Sequence, residues 1–305
     1  MSQVVTVRAA AKVNLYLGVG RPRSDGYHPL ATVYETLSLH DDVTASTSPT
    51  WRLGLISGDG IDRDSFPAGA DNIVLRAARL LAAHHGITDR AAELTVRKSI
   101  PIAGGLAGGS ADAAATLVAI DRLWDLRTSD AELLALAAEL GSDVPFSLLG
   151  GAALGMGRGE EVTALVDDAT RWWVVVPATV GLSTPAVYRH FDELFPDAPD
   201  EVVVPTELHT ALADPDNRLL AAAMHNDLEA AALDLRPELG ELIAAGEAAG
   251  ALRGMISGSG PTCVFLCHDR IAADRVRSTL VESGQELVVV ALGPVSGAHV
   301  VEYVS

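Results

Sequence analysis

The segment best suited to chemistry is residues 101–110 (PIAGGLAGGS), which place four glycines within six positions. These glycines are Gly104, Gly105, Gly108 and Gly109. Because glycine carries no side chain, backbone N–H groups in such a loop can approach a phosphate closely. A helical pattern begins at Ser110, and the amino end of a helix adds unpaired N–H groups and a positive dipole. The segment therefore predicts a phosphate site between a strand over residues 91–98 and a helix from Ser110 to about Trp124.

The spacing of this loop separates it from two common phosphate-binding motifs. A Walker A loop requires lysine directly before the serine or threonine, whereas Gly109 precedes Ser110 here. A dinucleotide fingerprint requires G-x-G-x-x-G after a first strand, but this loop reads G-G-x-x-G-G and lies far into the chain. A flexible turn with incidental glycines is the remaining alternative, which the adjoining helix disfavours. Asp112 competes with phosphate for the helix dipole, so it either faces a metal ion or caps the helix.

Two charged residues far apart in the sequence form a candidate ion pair. Lys12 lies inside an apolar strand predicted over residues 3–19, where an unpaired ammonium is unfavourable and requires a buried anion. Asp143, after a helix predicted over residues 130–140, is the natural partner, and the ammonium would keep it ionised. Asn14 points to the same face of the strand as Lys12. The alternatives are a solvent-exposed edge-strand lysine and an aspartate that only caps a turn.

The charged residues also narrow the possible partners. The formal net charge is −18, and an acidic surface repels nucleic acid and anionic lipid, so neither is expected to bind. Cys263, Cys267 and His268 could form a metal cluster, but two buried thiols in a core strand are favoured. No histidine group has the spacing of metal ligands, and no protein-bound metal is predicted. No segment reaches the roughly 18 apolar residues of a membrane-spanning helix, and no signal-peptide pattern begins the chain. These features predict a cytoplasmic protein.

Lysine is scarce in this chain, since twenty arginines accompany only two lysines, Lys12 and Lys98. If arginine replaces lysine wherever either would serve, the remaining lysines are enriched at sites that need a compact ammonium. Both lysines are therefore candidate site residues.

Strand and helix patterns are mixed along the chain without strict alternation, which predicts an α+β fold rather than a doubly wound sheet. Strands are predicted over residues 3–19, 29–46 (as a pair), 91–98, 151–165 (as a pair), 172–177, 253–257, 261–267, 286–292 and 298–304. Helices are predicted over residues 72–85, 110–124, 130–140, 184–195, 217–233, 236–249 and 270–282. Residues 48–70 are predicted as loop, and a boundary near residue 165 divides the chain into domains 1–165 and 166–305.

Together with four other segments, the glycine-rich loop resembles the GHMP kinase superfamily. Those segments are residues 11–17 (AKVNLYL), 23–28 (RSDGYH), 141–146 (GSDVPF) and 258–261 (GSGP). The resemblance implies a two-domain fold, with a ribosomal-protein-S5-like nucleotide domain first and a ferredoxin-like α/β-plait domain second. It also implies an ATP-dependent kinase that uses Mg²⁺. The expected substrate is a small cytidyl compound, an alcohol linked to cytidine diphosphate, in non-mevalonate isoprenoid synthesis.

The resemblance carries over to individual residues. It implies catalytic roles for Lys12 and Asp143. It implies ATP contacts at Asn72, Lys98, Pro101, Ile102, Ala103, Gly104, Gly105, Leu106, Ala107, Gly108, Gly109, Ser110 and Ala111. It implies substrate contacts at Asn14, Tyr27, His28, Asp143, Thr184, Tyr188, Gly258 and Ser259. In this interpretation Tyr27 and Tyr188 stack on the cytosine ring, and His28 hydrogen-bonds the base.

Two positions of the loop depart from the superfamily pattern. Ala103 and Ala107 stand where the family usually has glycine. A methyl group at either position restricts φ, which is expected to tighten or shift the phosphate cradle and to affect affinity more than activity.

Two other functions compete with this interpretation. GHMP kinases that act on homoserine or mevalonate have substrates without a base, so Tyr27, His28 and Tyr188 would have no role. A non-catalytic nucleotide-binding sensor with the same fold would not need both Lys12 and Asp143. The sequence does not decide between a monomer and a weak homodimer.

Overall fold

The computed structural model describes residues 3–58, 61, 63–67, 69–102, 104–167, 169–178, 181–214 and 216–301. The amino-terminal half folds as β1 (Val4–Val19), β2 (Leu30–Ser48), β3 (Arg52–Ser57), α1 (Ile73–His84), β4 (Ala91–Lys98), α2 (Gly108–Trp124), α3 (Asp130–Leu140), α4 (Val144–Leu149), β5 (Ala152–Met156) and β6 (Glu161–Leu165). The carboxy-terminal half continues as β7 (Arg171–Val176), α5 (Thr184–Leu194), α6 (Thr206–Leu212), α7 (Asn217–Ala223), β8 (His225–Asn226), α8 (Glu229–Leu235), α9 (Glu238–Ala248), β9 (Arg253–Ile256), β10 (Cys263–Cys267), α10 (Arg270–Glu282), β11 (Val289–Gly293) and β12 (His299–Val300).

The larger sheet contains eight strands of the described residues. Its main path is β12-β1-β2-β4-β3, while β5 pairs with β2 and β6, and β8 pairs with β1. The pairs β1–β8 and β3–β4 are parallel, and the other pairs are antiparallel. Helix α2 packs on β1 and β2 through a buried, alanine-rich face that allows a close approach. This packing places the start of α2 beside β1.

The smaller sheet contains four antiparallel strands in the order β11-β7-β10-β9. Numbered along this half of the chain, the order is 4-1-3-2, which is that of a ferredoxin-like sheet. Helices α9 and α10 pack on it. The predicted α+β fold with a ferredoxin-like second sheet is therefore confirmed.

Strand β1 belongs to both hydrophobic cores. Val13 and Leu15 pack in the core between the larger sheet and its helices. Further along the same strand, Leu17 and Val19 pack with residues of the smaller sheet, including Val176. The end of β1 therefore lies where the two halves of the chain meet.

Local sequence signals predicted several helix ends correctly. Asn72 caps α1, because its Oδ1 accepts a hydrogen bond from the backbone N–H of Val74 at 2.8 Å. Ser129 and Glu132 form the predicted capping box of α3. Such caps depend on residues within one turn of each other, so the sequence alone reveals them.

Predictions that depended on distant contacts were wrong in several places. The strand pair predicted over residues 29–46 is one strand, β2. The polar residues near His40 lie at a bulge, where the partner in β2 changes from His40 to Leu37 between Ala10 and Ala11 of β1. The predicted loop over residues 48–70 contains β3, which β4 holds by parallel pairing. The helix predicted over residues 217–233 is divided into α7 and α8 by β8, which pairs with β1.

Smaller differences concern short elements and ends. Helices α4 and α6 were not predicted, because six or seven residues carry little periodicity. Helix α2 begins at Gly108 rather than at Ser110. The strand predicted over residues 298–304 is β12 alone within the described residues, and residues 302–304 lie outside them. Across the described parts of the chain, no helix has both the length and the apolar character needed to cross a membrane.

Candidate active site

A cavity of about 690 Å³ lies between the two halves of the chain, a size suited to a small-molecule ligand. Of the predicted site residues, its wall includes Lys12, Asn14, Tyr27, His28, Pro101, Gly104, Gly105, Ala107, Gly108, Gly109, Asp143, Thr184, Tyr188, Gly258 and Ser259. The predicted residues that do not line it are Asn72, Lys98, Ile102, Leu106, Ser110 and Ala111. Ala103 lies outside the described residues.

Lys12 and Asp143 meet in this cavity. Lys12 lies on β1 with its side chain buried. Asp143 occupies the N-cap position of α4, but its side chain makes no capping hydrogen bond. Lys12 Nζ lies 3.9 Å from Asp143 Oδ2 and donates a hydrogen bond to Asn14 Oδ1 at 2.6 Å. Burial lowers the pKa of Lys12, while the Asp143 carboxylate opposes that shift. The structure thus brings together the pair that the sequence suggested, with Lys12 buried rather than at an exposed edge.

Tyr34 completes this cluster and was not predicted from the sequence. Its hydroxyl donates to Asp143 Oδ1 at 3.1 Å, and Lys12 Nζ lies 5.7 Å from its ring centroid. Its ring stacks on Phe146, with centroids 4.7 Å apart. Burial and the Asp143 charge raise the pKa of Tyr34 well above its usual value, so the hydroxyl stays a donor. Tyr34 is opposite Asn14 in the β1–β2 register, which no local signal reveals.

Contacts with both halves of the chain hold the glycine-rich loop. Leu106 O accepts a hydrogen bond from the backbone N–H of Lys12 at 3.1 Å, which ties the loop to β1. Ser257 Oγ donates to Gly105 O at 3.0 Å, which ties it to the end of β9. A Cβ on Gly105 would lie 2.3 Å from Ser257 O, and its φ is +76°. Only glycine therefore fits this approach.

Ala107 connects the loop to α2 in a left-handed conformation, with φ 57° and ψ 31°. A residue with a Cβ atom loses about 1–2 kcal/mol in this region relative to right-handed backbone. The alanine that departs from the superfamily pattern therefore adopts the backbone that glycine would adopt more easily. Because Ala107 also lines the cavity, its strain lies at the proposed phosphate site.

Asn72 and Lys98 are already engaged by protein groups outside the cavity. The Asn72 side chain caps α1 and donates to Pro67 O. The Lys98 ammonium is buried and binds the carboxylates of Asp41 and Asp112. Asp112 therefore pairs with Lys98, and the helix-cap option that the sequence left open was wrong, because Ala107 occupies the N-cap position of α2. A motif match locates such residues along the chain but does not reveal which groups they contact.

His28 and Tyr188 form an aromatic wall on one side of the cavity. Their ring centroids are 4.8 Å apart, with an interplanar angle of 39°. His28 Nε2 donates a hydrogen bond to Asp192 Oδ1 at 2.8 Å, because a carboxylate only accepts. In the neutral imidazole, Nδ1 is then an acceptor. Tyr27 also lines the cavity and is 53% exposed.

Two arginines that the sequence did not single out also line the cavity, Arg158 and Arg189. Arg158 lies in the turn between β5 and β6, with its Cζ atom 4.9 Å from the ring centroid of Tyr27. Its Nε donates to Glu160 Oε1 at 3.1 Å. Among twenty arginines, nothing in the local sequence distinguishes these two. They bring positive charge to the cavity of an acidic protein.

The turn between β9 and β10 brings the second half of the chain to the Lys12 cluster. Ser259 Oγ lies 2.8 Å from Thr184 Oγ1 at the start of α5. The Gly258 backbone is close enough that a Cβ atom there would lie 3.4 Å from Lys12 Nζ. Asn226 Nδ2 donates to Gly258 O at 2.8 Å. Residues of both halves of the chain therefore form the cavity wall.

Family models match both halves of the chain and define its class. The model described as GHMP kinases N terminal domain matches residues 72–151, and the model described as GHMP kinases C terminal matches residues 208–286. The chain is thus built from the two domains of a GHMP kinase.

Similarity to individual proteins narrows the class to one family. The chain is 62% identical over 297 residues to a 4-diphosphocytidyl-2-C-methyl-D-erythritol kinase of Nocardioides sp., with 97% of this chain and 100% of that one covered. It is 49% identical to the kinase of the same name from Rhodococcus jostii, with coverage of 97% and 95%. A crystal structure of 4-(cytidine 5'-diphospho)-2C-methyl-D-erythritol kinase is 30% identical, with a TM-score of 0.76 and coverage of 97% and 100%. The chain belongs to the family of 4-diphosphocytidyl-2-C-methyl-D-erythritol kinases.

Proposed function

We propose that this chain transfers the γ-phosphoryl group of ATP to the 2-hydroxyl of 4-diphosphocytidyl-2-C-methyl-D-erythritol, giving the 2-phosphate and ADP. The observation that carries the proposal is the position of Asp143, whose carboxylate shares one cavity with the glycine-rich loop and the aromatic wall. Phosphoryl transfer depends on positioning donor and acceptor in line and on spreading the developing charge. ATP bound at the loop and cytosine stacked on the aromatic wall would place the acceptor hydroxyl beside Asp143.

The glycine-rich loop is the proposed site of the ATP phosphates. Phosphate oxygens accept hydrogen bonds from the backbone N–H groups of residues 104–109 and from the first turn of α2. All four glycines of the loop line the cavity, where no side chain of theirs covers the backbone, and this supports a backbone cradle. Magnesium enters as the ATP complex, held by phosphate oxygens and water. Within the described residues, no group of three or more His, Cys, Asp or Glu side chains could hold a metal ion.

The reaction assigns a separate task to each polar residue of the Lys12 cluster. Asp143 accepts the proton of the substrate hydroxyl. The oxygen of that hydroxyl bonds to the γ-phosphorus, while the bond from the γ-phosphorus to the leaving oxygen of ADP breaks. The Lys12 ammonium keeps Asp143 ionised and stabilises negative charge on the transferring group. Tyr34 holds Asp143 in place through the 3.1 Å hydrogen bond. Asn14, bound to Lys12 at 2.6 Å, contacts the polyol.

The aromatic wall is the proposed site of the cytidine diphosphate group. Tyr27 and Tyr188 stack on the cytosine ring, a contact that any base could make. His28 supplies selectivity, because an acceptor at Nδ1 pairs with the amino group of cytosine and opposes the carbonyl oxygen of uracil. Arg158 and Arg189 face the diphosphate and offset the negative charge of the protein. Thr184, Gly258 and Ser259 close the wall beside the Lys12 cluster.

We place the ATP-binding unit in residues 1–165 and the substrate unit in residues 166–305. The end of β6 at Leu165 and the start of β7 at Arg171 support this division, although β8 and β12 join the larger sheet from the second unit. The reaction belongs to the non-mevalonate route to isoprenoid precursors. Its small ionic substrates favour a cytoplasmic enzyme.

A turnover assay with three alcohols tests the proposal. The purified protein is incubated with ATP, Mg²⁺ and either the diphosphocytidyl alcohol, homoserine or mevalonate, and ADP formation and product mass are followed. We expect turnover with the cytidyl alcohol only. Turnover with homoserine or mevalonate alone would overturn the substrate assignment. Binding of ATP without turnover on any alcohol would overturn the kinase assignment and indicate a nucleotide-binding protein.

A further inference from the structure

A buried cluster of three charged residues lies outside the cavity, next to the glycine-rich loop. Lys98 at the end of β4 is 2% exposed, and Asp41 of β2 and Asp112 of α2 are 0% and 2% exposed. The Lys98 ammonium donates to Asp41 Oδ2 and, at 2.9 Å, to Asp112 Oδ2. Buried ion pairs add little stability compared with apolar residues of the same volume. The proposed chemistry uses none of the three, so their role requires another explanation.

Asp41 joins the end of β4 to the start of the loop. Its Oδ1 accepts hydrogen bonds from the backbone N–H groups of Ser99 at 2.6 Å and Ile100 at 2.9 Å. These two residues connect Lys98 to Pro101, the first residue of the loop. The side chain of Asp41 therefore sets the path by which the chain enters the loop.

Asp112 places a carboxylate near the start of α2, where ATP is proposed to bind. A negative charge at this end of a helix occupies the dipole field that would attract phosphate, and it repels a polyphosphate directly. Burial raises the pKa of Asp112 well above its usual value, and the positive charge of Lys98 opposes that shift and favours the carboxylate. Burial disfavours the ammonium, but Asp112 and Asp41 together raise the pKa of Lys98 above its usual value, so it stays charged.

The Lys98 ammonium is in close contact with the loop itself. A Cβ atom on Gly108, the first residue of α2, would lie 2.8 Å from Lys98 Nζ. The positive charge of Lys98 is therefore next to the backbone at the start of α2. Its hydrogen bonds, however, run to the two carboxylates rather than into the cavity.

We propose that Lys98 is a positioning residue for ATP, which neutralises Asp112 and holds Asp41 against the loop entrance so that the start of α2 stays open to anions. This role rests on the proposed binding of ATP to the loop. It differs from the direct ATP contact that the sequence motif suggested. Without the ammonium, the charge that Asp112 keeps is uncompensated and weakens ATP binding, and no ligand contact is lost.

A second-site substitution separates these two roles of Lys98. Binding of a non-hydrolysable ATP analogue with Mg²⁺ is measured by calorimetry for Lys98→Met and for Lys98→Met/Asp112→Asn. We expect the single substitution to weaken binding by about tenfold or more and the double variant to return within about threefold of the unsubstituted chain. Equal weakness of both variants would show that the Asp112 charge is not what weakens binding, and it would overturn the proposal.

Asp121 offers a matched control for the rescue. It is a buried aspartate on the same helix, but it binds the backbone N–H of Thr128 at the far end. Lys98→Met/Asp121→Asn is expected to bind the analogue as weakly as Lys98→Met alone. Restored binding in this variant would show that any lost carboxylate suffices and would overturn the specific role of Asp112.

Asp112→Asn alone keeps the proposal testable if the lysine variants do not fold. We expect this variant to bind the ATP analogue equally well or more tightly, and a tenfold loss would overturn the proposal. In turnover assays, Lys98→Met should raise KM for ATP and leave KM for the cytidyl alcohol unchanged. A similar rise in both would indicate general damage and count against positioning. Because analogue binding does not depend on the acceptor, failure of the proposed reaction leaves this test intact.

Discussion

At the scale of single residues, the role of Asp143 can be tested by replacing one carboxylate oxygen. Its carboxylate accepts a hydrogen bond from Tyr34 and faces Lys12 at 3.9 Å. Asp143→Asn keeps the shape but removes both the charge and the site for a proton. We expect kcat to fall by about 10²–10⁴-fold, the usual contribution of a positioned base. Steady-state rates and calorimetry should show that ATP affinity is nearly unchanged.

An exposed aspartate provides the control for this substitution. Asp130→Asn in the first turn of α3 makes the same chemical change on the surface, outside the cavity wall. We expect its kcat to match that of the unsubstituted chain. Near-normal turnover of Asp143→Asn would remove Asp143 from proton transfer and leave it only an orienting charge.

Arg158 is the residue that best tests recognition of the diphosphate. Its guanidinium lies over the Tyr27 ring and is held by Glu160. Arg158→Gln removes a positive charge from the cavity and a cation–π contact of about 0.5–1 kcal/mol. We expect KM for the cytidyl alcohol to rise by about tenfold, with KM for ATP unchanged, because charge-assisted contacts contribute about 1.5–3 kcal/mol.

The control for Arg158 is an arginine that is paired but lies outside the cavity wall. Arg127 is exposed and binds Asp125, so Arg127→Gln should leave both KM values unchanged. If Arg158→Gln raised KM for ATP instead, Arg158 would belong to the donor site. If both variants had the same KM for the cytidyl alcohol, Arg158 would not contact the diphosphate.

At the scale of elements, the junction between the loop and α2 depends on two adjacent glycines with different surroundings. A Cβ atom on Gly108 would lie 2.8 Å from Lys98 Nζ and 3.0 Å from Ile100 Cγ2, whereas one on Gly109 would meet only Ile73 at 3.9 Å. We expect Gly108→Ala to lower the free energy of unfolding by about 1–3 kcal/mol through overpacking. Gly109→Ala should be neutral or stabilising by up to about 1 kcal/mol.

Urea and thermal unfolding of the two variants check this contrast. Gly109 lines the cavity, so its alanine variant should still bind the ATP analogue more weakly while remaining stable. The pair therefore separates packing under the loop from access to its backbone. Equal stability of the two variants would contradict the tight contact at Gly108.

The same elements show how far the sequence could predict the structure. The caps of α1 and α3 and the strand–loop–helix order around the glycines were predictable, because each depends on neighbours in the chain. The bulge in β2 and the division of α7 from α8 were not predictable, because β1 imposes both by pairing. Local patterns report propensity, and tertiary contacts override it where strands meet.

The site follows the same rule. A buried anion beside Lys12 could be predicted because an ammonium inside an apolar strand requires one, and the family resemblance pointed to Asp143. Tyr34 and Arg158 could not, since their places depend on the β1–β2 register and on a turn that folds over Tyr27. For Lys98, the sequence indicated a special ammonium but not its partners.

At the scale of the whole molecule, buried polar contacts join the two sheets. Glu35 of β2 and Arg171 of β7 are fully buried, and Arg171 donates to Glu35 Oε2 at 2.8 Å. Trp173 Nε1 donates to Glu35 Oε1 at 2.8 Å, and Asp167 also binds Arg171. Burial raises the pKa of Glu35 to about 7, with Arg171 opposing the shift. This contact couples the relative position of the sheets to the charge of one carboxyl group.

The raised pKa of Glu35 predicts a pH-dependent stability that Glu35→Gln should remove. Since the folded state holds the proton up to about pH 7 and an unfolded glutamate loses it near 4.5, folding takes up a proton between these values. The contribution to stability is therefore fully present below pH 4.5 and decreases as pH rises to 7, by about 3 kcal/mol in all. Urea unfolding from pH 5 to 8 should show this decrease in the unsubstituted chain relative to Glu35→Gln. Parallel pH profiles would show that Arg171 keeps Glu35 ionised throughout.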